Sequence, residues 1–216
     1  MRVSPGSSRP ARAGFTLIEL LAVILILGIL TALLVTQLAG SEEAAQIQNT
    51  QRREAMLSAI IDSYANEYGD APRSMFTSHQ GVPNDGDNVG AEALFVALWS
   101  NQFEASGADE LADDLVNTDG DSSARRLTDF ESRELFEIPD DWGNPIAYFH
   151  RRDYDAGPQS YVTFDPVTGE ELHSEAKALR NPKTGRFFRS GSYQLISAGP
   201  DGLFGTEDDI TPFERK

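Results

Sequence analysis

The sequence predicts an α+β fold in which one long N-terminal helix packs on a small antiparallel sheet. Residues 15–39 form an almost uninterrupted apolar run without proline, which favours a continuous helix. Apolar residues then recur at helical spacing up to Tyr68, and Gly69 follows them. After residue 140, short segments rich in aromatic and β-branched residues alternate with turn sequences, which indicates strands. The sheet is therefore expected in the C-terminal third of the chain.

The apolar run between Phe15 and Ala39 is long enough to cross a membrane. Its interruptions are Glu19, Gly28 and a few hydroxyl or amide side chains. As a helix, these residues would extend about 37 Å, more than the roughly 30 Å of a bilayer's hydrocarbon core. We therefore expect a single transmembrane helix over residues 15–39. Because arginines and no acids precede it, the N-terminus should stay in the cytoplasm and the C-terminal part should face outward.

Glu19 is the one carboxylate in this run, and a carboxylate in an apolar environment usually pairs with a cation. If the chain were cut after Gly14, Phe15 would carry a cationic amine four residues away from Glu19. Packing many such helices side by side would let each Glu19 pair with a neighbour's amine. In the alternative interpretation, the carboxylate simply reaches the lipid headgroups.

The helical pattern continues beyond the apolar run. We expect one helix from Phe15 to Tyr68, loosened at Gly40 and stopped by Gly69. Its second half carries an apolar stripe that should pack on the sheet: Leu57, Ile60, Ile61, Tyr64 and Tyr68.

Residues 70–139 give fewer signals. Ala93–Trp99 is a compact apolar run and predicts a short helix. The acidic segments Asn84–Asn88 and Asp119–Asp121 resemble parts of a calcium loop, but neither ends in the glutamate that an EF-hand requires. We interpret both segments as solvated turns, because Asp and Asn side chains bond their own backbone in turns.

Four segments are expected to build the antiparallel sheet. Asp140–Pro145 is a turn sequence that leads into the first of them. The expected strand segments are Ile146–His150, Ser160–Phe164, Phe187–Phe188 and Ser192–Ile196.

The segment Ser197–Ile210 combines four carboxylates with three glycines. Clustered carboxylates repel one another unless a cation neutralises them, and glycines let a backbone fold tightly enough to turn carbonyl oxygens inward. Calcium accepts such oxygen ligands, whereas magnesium demands stricter geometry and zinc prefers nitrogen or sulfur. This loop therefore predicts a calcium site, with a solvated acidic turn as the alternative.

Composition excludes several functions. The chain of 216 residues has a net charge of −16, and an acidic body would be repelled by the phosphates of nucleic acid. The absence of cysteine removes thiol catalysis and cysteine-based zinc sites. The three histidines, His79, His150 and His173, are far apart and share no ligand-like spacing. We find no catalytic constellation and expect that the protein is not an enzyme.

The segment Gly14-Phe15-Thr16-Leu17-Ile18-Glu19, followed by the apolar run, resembles the N-terminal signal of type IV pilins and type II secretion pseudopilins. The resemblance implies that a prepilin peptidase cuts between Gly14 and Phe15, that the new amine of Phe15 is methylated, and that Glu19 acts in filament assembly. Removing residues 1–14, with three arginines and no acid, would change the net charge from −16 to −19. One departure is Thr36, which stands where the family often has a helix-bending proline, so we expect less of a kink.

The C-terminal part resembles the major pseudopilin of type II secretion in two places. Asp140–Pro145 is similar to the stretch that enters its sheet, and Ser197–Ile210 is similar to its calcium loop. The resemblance implies that the calcium ligands are the side chains of Asp201, Asp208 and Asp209, with the carbonyls of Ala198 and Thr206 as additional ligands.

The expected protein is a structural pseudopilus subunit with a pilin-like fold. The implied partners are further copies of the chain, minor pseudopilins, prepilin peptidase, the inner-membrane assembly platform and the membrane itself. It would be held in the inner membrane by one span, with its C-terminal domain in the periplasm, before joining a periplasmic filament. The chain divides into a leader (1–14), a membrane and assembly half-helix (15–39), a second half-helix (40–69), a variable region (70–139) and the sheet with its calcium loop (140–216).

Three alternatives remain open from the sequence. The first is a type IV pilin for adhesion, motility or DNA uptake. The second is a membrane-anchored calcium-binding ectodomain. The third is a secreted enzyme whose apolar run is an unusual signal peptide, cleaved near Leu38–Ser41.

Overall fold

The computed structural model describes residues 16–76, 86–100, 103 and 108–213, and for residues 34–39 it describes the backbone alone. The chain separates into two compact units that meet between Glu42 and Glu43. The first unit contains the start of the long helix, and the second contains its remainder and the globular domain.

Helix α1 runs from Leu17 to Tyr68, a length of 52 residues. It passes through Gly40 without a break, so the loosening expected there is wrong, and Thr36 lies within the same helix. The helix ends because Gly69 adopts a φ of 83°, and the Gly69 N–H donates to the carbonyl of Ala65 at 2.8 Å. The long helix and its stop at Gly69 are therefore confirmed.

In the first unit, the apolar side chains of α1 are exposed to solvent in the isolated chain. The exposed fraction is 82 % at Leu17 and 59 % at Leu33. Across the residues that the structure describes, no helix meets the combined length and hydropathy of a membrane span. Phe15 and the side chains of residues 34–39 lie outside the description, so the span expected over 15–39 stays a prediction.

In the second unit, the apolar stripe of α1 enters the main core. Leu57, Ile60 and Ile61 are buried, whereas Tyr64 is half-buried and Tyr68 is 42 % exposed. The stripe therefore packs most tightly in its first half, against side chains from the rest of the domain. The buried partners in this core include Leu94, Phe95, Leu135, Tyr148, Tyr193 and Leu195.

Within the described residues, four strands form two antiparallel pairs rather than the single sheet that the sequence indicated. They are β1 (Ala147–His150), β2 (Gln159–Phe164), β3 (Glu171–Ala176) and β4 (Tyr193–Ile196). Strand β1 pairs with β4, and β2 pairs with β3. The segment Phe187–Phe188 is not a strand, because Phe187 forms only an isolated bridge with Arg180. That part of the expectation is wrong, and β3 is a strand the sequence did not indicate.

The described part of the domain also contains two shorter helices, α2 (Val89–Leu98) and α3 (Asp109–Ala112). Helix α2 confirms the helix expected around Ala93–Trp99 and begins a little earlier. Its first turn lies against the strands so closely that only glycine fits at position 90. A Cβ there would come within 3 Å of the Tyr148 carbonyl and the Tyr161 hydroxyl.

Candidate functional site

The start of α1 is capped by three hydrogen bonds between Thr16 and Glu19. The backbone N–H of Thr16 and its hydroxyl both donate to Oε2 of Glu19, at 2.8 and 2.6 Å, and the Glu19 N–H donates back to the Thr16 hydroxyl at 3.3 Å. This is a capping box, in which a threonine and a glutamate three residues later satisfy each other's backbone. Glu19 is therefore held at the helix terminus nearest to the expected cleavage point, which lies with Gly14 and Phe15 outside the described residues.

The acidic C-terminal loop is closed at its base. Ser197 and Ile210 exchange two backbone hydrogen bonds, each of 3.0 Å. Inside the loop, Gly199 has a φ of 69°, and a Cβ there would come 2.5 Å from the carbonyl oxygen of Asp208. Glycine at this position therefore lets the two sides of the loop approach closely, and the neighbouring Ala198 is fully buried in the core of the domain.

The three aspartates expected as ligands lie in this loop with different environments. Asp209 is buried, and both of its carboxylate oxygens accept the Gly205 N–H at 3.1 Å. Asp201 is half-exposed and accepts the Leu203 N–H at 2.8 Å. Asp208 is also half-exposed and accepts the hydroxyl of Thr206. The described structure does not place one oxygen from each aspartate within 4.8 Å of the others.

A second acidic group was missed by the sequence interpretation. Glu92, Asp119 and Glu137 each contribute a carboxylate oxygen, and these three oxygens lie within 4.8 Å of one another. Glu92 comes from the first turn of α2, whereas Asp119 and Glu137 come from the loop segments that follow. Burial and the neighbouring charges of Asp121 and Asp119 raise the pKa of Glu92, and burial and Asp119 raise the pKa of Glu137.

The interpretation of the two middle segments as solvated turns is wrong for Asn88. Asn88 is fully buried, and its side chain donates to the Thr118 hydroxyl at 2.8 Å and to Oε1 of Glu137 at 3.0 Å. In the second segment, Gly120 is exposed and Asp119 accepts the Asp121 N–H at 3.3 Å, as the turn interpretation expects. Asp119 and Asp121 are half-buried beside Glu92 rather than fully solvated. The remaining part of the first segment, Asn84 and Asp85, lies outside the described residues.

The two described histidines have different environments, since His150 is buried and His173 is exposed. His150 ends strand β1 and is buried, with Nε2 3.2 Å from Oδ1 of Asp70. Arg151 binds the same carboxylate through two hydrogen bonds, of 3.2 and 2.9 Å. Hydrogen bonding by Arg151 holds the pKa of Asp70 well below its ordinary value, although partial burial opposes this shift. His173 lies in β3, and His79 lies outside the described residues.

Residues 9–35 match the prokaryotic N-terminal methylation motif. The match spans the expected cleavage point, Glu19 and most of the apolar run, so the chain carries the N-terminal methylation motif of prokaryotic pilin-like proteins. The resemblance inferred from Gly14 to Glu19 is thereby confirmed.

A curated relative extends the similarity to nearly the whole chain. The chain is 29% identical over 198 residues to Type II secretion system core protein G of Escherichia coli (strain K12), which covers 92% of this chain and 88% of the relative. No solved structure is significantly similar to the chain. The likeness to a type II secretion protein therefore includes the globular domain as well as the N-terminal motif.

Proposed function

We propose that the chain is a structural subunit of a type II secretion pseudopilus. The observation that carries this proposal is the similarity to Type II secretion system core protein G, which extends over 92% of the chain. Similarity confined to the N-terminal motif would fit any pilin-like filament, whereas this one includes the globular domain. The subunit supports secretion as part of a filament and performs no catalysis of its own.

Processing precedes assembly. The methylation motif at residues 9–35 supports cleavage by prepilin peptidase between Gly14 and Phe15, followed by methylation of the Phe15 amine. Before cleavage, the apolar start of α1 would hold the chain in the inner membrane, with the globular domain in the periplasm. The exposed apolar side chains of Leu17 to Leu33 support this proposal, because they need a lipid or protein cover.

In the filament, neighbouring copies of α1 would supply that cover. Packing of one copy's surface against a different surface of the next generates an open helical array, which is the symmetry of a fibre. Minor pseudopilins and the inner-membrane assembly platform are the further partners of this proposal.

Mass spectrometry of the mature N-terminus tests the processing step that this function requires. We expect the purified protein to begin at Phe15 with one methyl group on its amine. The measurement uses full-length chain expressed with its own prepilin peptidase and, as a control, the same chain expressed without it. An intact leader in the first sample, or a cut near Leu38–Ser41, would contradict the proposal and favour a plain anchor or secretory signal.

We further propose that the loop Ser197–Ile210 binds calcium. Asp201, Asp208 and Asp209 supply carboxylates, and the carbonyls of Ala198 and Thr206 supply the additional oxygens that calcium accepts. The proposal is supported by a donor set that contains oxygen alone, and by Gly199, which lets the backbone pass close to the Asp208 carbonyl. The ion would neutralise the loop and fix it against the domain.

The calcium proposal predicts different responses from two acidic residues of the loop. We expect calcium to raise the melting temperature of the chain relative to EDTA, and Asp201→Ala to reduce that rise. Glu207→Ala is the matched control, because Glu207 is exposed and is not among the proposed ligands. Equal calcium responses of the two variants would remove the loop as a binding site.

A further inference from the structure

Carboxylates from three separate segments meet inside the globular domain, away from the acidic loop. Glu92 is 1 % exposed and Glu137 is completely buried, while Asp119 is half-buried. One oxygen from each lies within 4.8 Å of the other two. Asp121 is near enough for its charge to act on Glu92. Such proximity of buried like charges is strongly unfavourable unless a cation or protons neutralise them.

Glu137 is held in a fixed orientation by hydrogen bonds to both of its oxygens. The Nδ2 group of Asn88 donates to Oε1 at 3.0 Å, and the Thr118 N–H donates to Oε2 at 3.1 Å. Asn88 is itself fixed, because its Oδ1 accepts the Val162 N–H at 3.0 Å. Supporting bonds of this kind orient carboxylates that bind metal ions.

Glu92 provides the independent evidence for a missing partner. Its Oε1 atom is buried and accepts no hydrogen bond, although burying a carboxylate oxygen without a partner is costly. In the part of the chain that the structure describes, neither Glu92 nor Glu137 forms an ion pair with a lysine or arginine. Glu92 is also a member of the group of three converging carboxylates. Its unpartnered oxygen and the excess negative charge of the group therefore both point to a bound cation.

We propose that Glu92, Asp119 and Glu137 bind a divalent cation, with calcium the best match, at a site distinct from the loop 197–210. Calcium binds oxygens at 2.3–2.6 Å, so two ligands on opposite sides of one ion can lie up to about 5 Å apart. Magnesium demands stricter octahedral geometry and keeps more of its own water, so a group of carboxylates from three separate segments suits calcium better. Asp121 is the fourth carboxylate within reach. The ion clamps the start of α2 to the segments around Asp119 and Glu137.

Calcium binding to the full-length mature chain in detergent tests this site. The Asp201→Ala background suppresses the C-terminal loop, and EDTA followed by dialysis removes bound metal. Equilibrium dialysis with calcium chloride gives the number of ions per chain, with magnesium chloride as the comparison ion. We expect the Asp201→Ala chain to retain one calcium ion and to bind magnesium at least tenfold more weakly.

Adding Glu92→Gln to that background should weaken calcium binding at least tenfold, because the amide keeps the side chain's shape but removes its charge. Glu131→Gln, at an exposed acid of the same region, is the matched control and should leave binding unchanged. Asp119→Asn should reproduce the loss at a half-buried position, where the substitution disturbs the core less. In EDTA, Glu92→Gln should melt at the same temperature as its parent or higher, which shows that it folds.

Two results would overturn the proposal. One is an Asp201→Ala chain that binds no calcium, and the other is unchanged affinity in both Glu92→Gln and Asp119→Asn. Neither result bears on the mass of the mature N-terminus, so the proposed pseudopilus function would stand or fall separately.

Discussion

Glu19→Ala is expected to leave the chain processed and methylated but unable to form filaments. The substitution removes a carboxylate that the structure holds at the first turn of α1, four residues after Phe15. Among packed copies, that carboxylate would neutralise the cationic amine of an adjacent Phe15, in an environment where screening by water is weak. Filaments sheared from cells and examined by electron microscopy give the readout, with the N-terminal mass as evidence of processing.

Glu19 has two roles that a second variant can separate. It caps the helix by accepting hydrogen bonds from Thr16, and it carries the charge proposed for assembly. Glutamine also serves in a capping box, so Glu19→Gln should preserve the cap while removing the charge. Loss of a cap alone destabilises a helix by about 0.5–2 kcal/mol. In a helix as long as α1, this loss is too small to prevent assembly of the filament.

We therefore expect Glu19→Gln to fail as completely as Glu19→Ala. If Glu19→Gln chains formed filaments in normal amounts, the charge would be dispensable and the pairing with a neighbouring amine would be wrong. Failure of Glu19→Ala alone would assign the effect to the helix cap.

The long helix was predictable because its signals are local. Apolar residues recur with helical spacing through Leu57 and Ile61, and Gly69 can adopt the positive φ that ends a helix. The Thr16–Glu19 capping box is also marked by a local signal, the spacing of a threonine and a glutamate three residues apart.

Strand β3 could not be found from the same kind of signal. Its sequence, Glu171–Ala176, contains no β-branched or aromatic residue, and its first three residues are not buried. It becomes a strand because it pairs along its whole length with β2, which is rich in strand formers. Conversely, Phe187–Phe188 has strand-forming residues but only an isolated bridge to Arg180. Here pairing overrides propensity, as is usual for sheets.

The buried acidic group was missed because its members are distant in the chain. The pair Asp119 and Asp121 looks like a solvated turn when it is read alone, since Asp119 lies 27 positions after Glu92 in the chain. The available signal was the placement of Glu92 and Glu137, each a lone acid between apolar neighbours. Such an acid is buried with its segment and needs a partner, but the sequence does not indicate which other segment supplies it.

Glu54→Gln is expected to stabilise the folded chain at alkaline pH. Glu54 lies on α1 and is fully buried, and neither of its carboxylate oxygens accepts a hydrogen bond within the described structure. Burial, and secondly the charge of Asp140, raise the pKa of Glu54 from 4.5 to about 8. The backbone N–H of Ser197 lowers the pKa of Glu54 and so opposes this shift. Its effect is small because it donates its hydrogen bond to the carbonyl of Ile210.

Asp140, unlike Glu54, accepts hydrogen bonds that stabilise its ionised form. It accepts the N–H groups of Trp142 and Asn144 at 2.9 and 3.0 Å, and its other oxygen accepts the Ser197 hydroxyl at 2.7 Å. Burial nevertheless raises the pKa of Asp140 to about 6. Between about pH 6 and pH 8 the folded state therefore keeps a proton on Glu54 beside an ionised Asp140.

The sign of the pH dependence follows from this difference between folded and unfolded states. Because the folded pKa of Glu54 is raised, its contribution to stability is fully present below about pH 4.5 and is lost as the pH rises towards 8. Above pH 8 the folded state must hold an unpaired buried charge. A rise in pKa of this size corresponds to roughly 2–5 kcal/mol at pH 9, of which Glu54→Gln should recover most.

Urea unfolding of the full-length chain in detergent, followed by tryptophan fluorescence at pH 5, 7 and 9, measures this effect. EDTA is present throughout, so that cation binding does not contribute. We expect Glu54→Gln to match the unsubstituted chain within about 1 kcal/mol at pH 5 and to exceed its free energy of unfolding by about 2–5 kcal/mol at pH 9. Glu43→Gln, at an exposed position of the same helix, is the control and should follow the unsubstituted chain at every pH. Identical pH dependence in the Glu54→Gln and unsubstituted chains would mean that Glu54 ionises freely in the folded state, and that the interior around it is more polar than its burial indicates.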